Sequence, residues 1–104
     1  MLRQLQTEIY DARHKAKDGL PRPNVVATLD VGAQKTILCI AHYDIVPAGN
    51  GWKYDPFTLT VEGGRAYGRG AADDKSAIAT LLGVARKVGK SARMNMKNLA
   101  TADE

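Results

Sequence analysis

The chain has a single cysteine, Cys39, among 104 residues. No disulfide can close within it, and a thiol-stapled scaffold is excluded. Cys39 lies inside the apolar run 37–41, where a buried structural thiol is expected rather than a nucleophile. Long apolar stretches are also missing. None approaches the roughly 18 residues that argue for a membrane span, and Met1-Leu2-Arg3-Gln4 opens no secretory h-region. A cytoplasmic protein with no membrane partner is the default expectation. Internal repeats, low-complexity blocks and a P-loop pattern are absent as well, which removes solenoids and the common nucleotide-phosphate cradle.

Apolar residues account for 44% of the chain and charged residues for 25%. These are ordinary globular values, and the length suits one hydrophobic core and not two. The net charge is +4, and much of the excess sits near the end. Arg86, Lys87, Lys90, Arg93 and Lys97 fall in a stretch without an acid. Such a stretch can face phosphate, but no aromatics interleave it for base stacking. A solvated helix end whose cations complement the macrodipole is the favoured reading, with no nucleic-acid partner.

Glycine and proline clusters cut the chain into short elements. Residues 2–7 look helical, and Glu8-Ile9-Tyr10-Asp11 reads either as another helical turn or as a strand, the strand being favoured. The β-rich runs 24–29 and 35–41 are separated by Asp30-Val31-Gly32-Ala33-Gln34, a hairpin-length connection. The second run is apolar on both faces and therefore suits the middle of a covered sheet. Residues 58–61 and 65–67 flank Glu62-Gly63-Gly64 and form a second hairpin. Ile78, Leu81, Leu82, Ala85 and Val88 fall at helical spacing, with Gly89 placed to end the helix. Residues 94–101 read as a last strand. The sum is a mixed α/β domain with a sheet face left uncovered, so the chain has the look of a fragment.

Two places carry chemistry. His42 and Asp44 are two apart on an extended segment and share a face, at the carboxyl end of a strand, where α/β sheets bind ligands. A neutral imidazole can ligate zinc while a carboxylate behind it fixes its orientation. Alone, such a pair is more often a surface hydrogen bond. The second place is Gly68-Arg69-Gly70-Ala71-Ala72-Asp73-Asp74-Lys75, which runs straight into the helix. Asp73 or Asp74 can cap the helix start, or a carboxylate on this loop can bridge two cations about 3.5–4 Å apart. An acid at the loop opposes a pyrophosphate.

The set His42-Tyr43-Asp44-Ile45-Val46-Pro47, Gly51-Trp52, Asp55-Pro56-Phe57 and 66–75 resembles one group of zinc metallopeptidases and deacylases. This group includes N-acetylornithine deacetylase, succinyl-diaminopimelate desuccinylase, carboxypeptidase G and aminoacylase. The resemblance implies a three-layer α/β/α catalytic domain with a mixed sheet, of which residues 1–104 are the N-terminal part. The dimerisation domain and C-terminal half lie outside these residues. It implies two zinc ions, with cobalt as a possible substitute, held in part by His42 and the bridging Asp73. Asp44 would orient the site, and Glu104 would be the general base, first of a glutamate pair. Asp74 falls at a variable position and Lys75 at a usual lysine, while Ser76 replaces a common glycine. The implied activity of the intact protein, a homodimer, is cleavage of amide bonds in N-acyl amino acids or small peptides, the fragment itself being inactive. A non-catalytic interaction domain of the same fold and a basic nucleic-acid-binding module are the alternatives. Trp52 and Phe57 are expected to anchor loops, Arg69 to brace its loop by hydrogen bonds, His14 to face solvent, and Tyr43 to lie in core or cleft.

Overall fold

A computed structural model describes residues 5–11, 13–15 and 17–103. Strand β1 (Leu5–Asp11) runs antiparallel to β2 (Pro23–Leu29), with Leu5 opposite Leu29 and Asp11 opposite Pro23. The helix expected over residues 2–7 is therefore wrong for Leu5–Thr7, and its first residues lie outside the described ones. The reason is tertiary: β2 offers a complete hydrogen-bonding edge, and pairing along its whole length outweighs a weak local helical preference. The strand expected at Glu8–Asp11 is present.

The next difference concerns β2 and β3 (Thr36–His42). They do not form a hairpin. Strand β6 (Asn95–Thr101) lies between them, antiparallel to β2 and parallel to β3, giving the order β1-β2-β6-β3. Two strand spacings are only about 9.6 Å, so the short link after Leu29 can arch over the start of β6. The Asn95 side chain holds it there. Its Oδ1 accepts from the N–H groups of Val31 (2.9 Å) and Ala33 (3.2 Å), and its Nδ2 donates to the Ala33 carbonyl at 2.8 Å.

Strand β3 is thus at the edge of the described sheet and not in its middle. Its residues Leu38 and Ile40 are 57% and 62% exposed. By alternation they share a face with Val26 and Leu99, and no described element covers that face. Cys39 points the other way, toward the core cluster, but is half-buried and not fully buried.

The covered face packs against α1 (Ser76–Val88). Leu81, Ala85 and Val88 meet Leu29, Met96 and Cys39 across it, the i, i+4, i+7 stripe that the periodicity predicts. Gly89 ends the helix with φ +47°, its N–H donating to the Ala85 carbonyl. With one helix on one face, the molecule is a slab of 49 × 42 × 20 Å with a radius of gyration of 16.3 Å, above the roughly 13 Å of a closed domain of this length.

Strands β4 (Thr60–Glu62) and β5 (Arg65–Tyr67) form the expected second hairpin, Glu62 pairing with Arg65 around Gly63 (φ +60°) and Gly64 (φ +75°). Two positive φ values match the twist of a two-residue hairpin loop. The cations Arg86, Lys87, Lys90, Arg93 and Lys97 are exposed, as a solvated surface requires. His14 is exposed too, in a single 3-10 turn, Arg13–Lys15.

Candidate functional site

β3 and β6 run in parallel, with His42 opposite Thr101, so both chains leave the sheet at the same end. The His42 ring sits there with its side chain 15% exposed, between two acids. Its Nδ1 is 3.2 Å from the Asp44 main-chain carbonyl and 3.3 Å from Asp44 Oδ1. That oxygen is buried and has no hydrogen-bond partner among the described residues. On the other side, Nε2 is 3.0 Å from Asp73 Oδ1.

Asp73 reaches the ring because of its loop. After Gly70 (φ +82°), the chain makes one wide turn over Ala71–Lys75, closed by Lys75 N–H to the Gly70 carbonyl at 3.1 Å. Inside it Asp73 has φ −118°, ψ 97°, and the Asp73–Asp74 peptide is cis. Neither this turn nor α1 carries a side-chain cap. The two acids instead face β3: Asp73 meets the His42 ring, and Asp74 Oδ2 accepts from the His42 backbone N–H at 3.3 Å. Of the two roles open to these acids in the sequence, the capping role is not the one the fold uses.

The donor chemistry of this cluster is specific. A carbonyl oxygen can only accept, so Nδ1 must carry a proton toward Asp44. A neutral imidazole then presents a lone pair at Nε2, aimed at a carboxylate that also only accepts. Such a pair is favourable when positive charge lies between, supplied by a second ring proton or by a cation. Donors bound to one tetrahedral zinc at 2.0–2.1 Å stand about 3.3 Å apart, and the 3.0 Å separation here is close to that. The Asp73 side chain is 89% exposed, leaving space beside it for further ligands. Among the described residues, no group of three or more His, Cys, Asp or Glu side chains gathers to hold a metal ion. Glu104 lies outside the described residues.

The surrounding loop is held by Arg69 and Trp52. Arg69 Nη2 and Trp52 Nε1 both donate to the Ala48 carbonyl, at 2.9 and 2.8 Å, and the guanidinium stacks 5.2 Å above the indole. Arg69 braces its loop as expected, and Trp52 is the loop anchor. Phe57 is not one, since it is 72% exposed. Tyr43 is half-buried and donates to the Pro23 carbonyl. An apolar groove of about 560 Å³ runs beside the Asp73 loop, bordered by Ile45, Phe57, Leu59, Arg69 and Lys75. Asp74, a cap candidate or variable position in the sequence, and Lys75, a usual lysine of the motif, instead reach the backbone of His42 and Tyr43.

The profile of peptidase family M20/M25/M40 matches residues 38–104, well over half the chain. The chain belongs to this family. M20 relatives include the succinyl-diaminopimelate desuccinylase of Gluconobacter oxydans, 42% identical over 88 residues, covering 82% of this chain and 23% of that protein. Another is the Beta-Ala-Xaa dipeptidase of Lactobacillus delbrueckii subsp. lactis, 50% identical over 54 residues, half of this chain and 12% of that protein. An M20 family metallo-carboxypeptidase from Sulfolobus solfataricus superposes with a TM-score of 0.82 at 29% identity, over 99% of this chain and 23% of that one. Human carnosine dipeptidase 1 does so with a TM-score of 0.76 at 28% identity, over 96% and 23%. The chain thus spans about a quarter of the length of the first relatives it matches. The family resemblance drawn from the motifs is borne out, and so is the mixed α/β fold.

Proposed function

We propose that the intact protein is a zinc-dependent hydrolase of amide bonds in N-acyl amino acids or small peptides, and that residues 1–104 supply part of its metal site. The observation that carries this reading is the approach of His42 Nε2 to Asp73 Oδ1 at 3.0 Å, from two separate elements, in an arrangement that calls for positive charge between them. His42 and Asp73 would hold the metal. When bound, zinc supplies a Lewis acid for the scissile carbonyl and lowers the pKa of water toward neutrality. Asp44 orients the imidazole: its carbonyl, 3.2 Å from Nδ1, accepts the ring proton and so fixes the tautomer that leaves Nε2 for the metal, with the Oδ1 charge 3.3 Å away. Glu104 would act as general base, taking a proton from the attacking water and passing it to the leaving amine. The names of the M20 relatives favour acylated amino acids and small peptides as substrates; the intact protein would be a homodimer whose contacts come from other segments.

Two ligand side chains do not close a dinuclear site, so the 104 residues alone are expected to be inactive. The test is metal analysis of the full-length protein with assay against N-succinyl and N-acetyl amino acids and dipeptides. Chelator-sensitive turnover, lost in H42A and D73A, is the expected result. Full activity with no bound metal would overturn the hydrolase mechanism. Bound metal without turnover of any of these substrates would favour a non-catalytic relative.

A further inference from the structure

Resting on the reading that His42 and Asp73 hold a cation, we infer that Asp74 and Lys75 are positioning residues that clasp the exit of β3 and so set the distance between those two ligands. In β3 the odd-numbered residues turn their peptide groups toward β6, as the bonds from Tyr43 N to Thr101 O and from Asn95 N to Lys35 O show, both 2.9 Å. The His42 N–H therefore points away from β6, toward the strand's outer edge. A backbone donor there needs a partner, and Asp74 Oδ2 supplies one at 3.3 Å. One residue on, Lys75 Nζ donates to the Tyr43 carbonyl at 2.8 Å.

Successive side chains of the loop thus grip the peptide groups of successive residues at the strand's exit. Asp73 immediately precedes both. The two bonds fix the backbone next to Asp73, and with it the position from which its carboxylate reaches the His42 ring. Asp74 is thereby occupied with the backbone, which separates its role from that of Asp73 despite their identical chemistry. The required property at 74 is an acceptor of this length, and at 75 a donor on a long stem.

The experiment uses the full-length protein, with hydrogen exchange at the His42 amide and a titration with zinc alone followed on the His42 ring resonances. In D74A the His42 amide should exchange at least tenfold faster while the core amides of Leu29 and Met96 keep their protection. Zinc affinity should fall by about 10- to 100-fold, as for other outer partners of metal ligands. D74N retains an acceptor and should bring both readouts back to within about threefold of wild type. K75M, which keeps the stem and loses the donor, should move both in the same direction and serves as the comparison if D74A does not fold. Wild-type exchange and affinity in D74A, or in K75M, would overturn the clasp, as would D74N behaving like D74A. If zinc leaves the wild-type His42 resonances unchanged while exchange still depends on Asp74, the clasp stands and the metal assignment fails.

Discussion

Asn98 allows a quantitative test of the fold. Its side chain is on β6, facing α1, and the residue is only 8% exposed. Neither Nδ2 nor Oδ1 has a hydrogen-bond partner among the described residues. The neighbours are Val25, Ala27, Ala41, Ile78 and Leu81, around a cavity of about 310 Å³. A buried polar group without a partner costs on the order of 1–3 kcal/mol, and a leucine in its place would fill part of the void. Taking the low end for the amide, about 1 kcal/mol, and about 1 kcal/mol for partial filling rather than full burial, N98L should stabilise the chain by about 2 kcal/mol. For this length that corresponds to a rise in Tm of roughly 8–16 °C. N98A removes the amide but enlarges the cavity, so the two effects oppose and it should stay within about 1 kcal/mol of wild type. Urea denaturation with a shared m value measures both. Destabilisation of more than about 1 kcal/mol by N98L would refute the reasoning, because it would mean that the amide is satisfied and that its bonds hold β6 in place.

Other consequences follow from particular contacts. N95A removes the three bonds that hold the β2–β3 link over β6; it should cost about 2–3 kcal/mol by urea denaturation, and a cost below about 0.5 kcal/mol would show that the link holds itself. G70A places a Cβ 2.4 Å from Ile45 Cγ2 and 3.0 Å from Lys75 Nζ at a φ of +82°. It should displace the loop bearing Asp73 and shift the His42 ring resonances, and unchanged resonances would argue against this turn geometry. Asp18 is held well below the usual carboxylate range by the Arg22 guanidinium and then by the Leu20 N–H. Asp11 is lowered by the Arg22 backbone N–H and then by the Arg13 side chain. Depressed folded values mean that the unfolded chain binds more protons. Their stabilisation is complete above the ordinary carboxylate pKa of about 3.9 and is lost as pH falls through the lowered values. D18N should flatten the acid limb of a urea-midpoint profile, and an unchanged limb would remove Asp18 from the account.

What could be read from the residues was whatever depends on near neighbours or on a residue type that chemistry demands. The glycine pair 63–64 specified a hairpin because both positions need positive φ. The spacing from Ile78 to Val88 specified a helix, and Gly89 its end. The run from His42 to Asp44 and the loop through Asp73 carried the family, because their residue types stand in the order of its motifs. Pairing across the sheet was different. Nothing in residues 24–41 indicates that β6, more than fifty residues later, will lie between two strands that look like a hairpin. Nothing in residues 5–7 indicates that β2 will draw them out as a strand. Asp74 likewise found its partner only when the loop met the outer edge of β3. Strand order and loop docking are decided by hydrogen bonds and apolar contacts between distant segments, and their energies do not exist until the chain has brought those segments together.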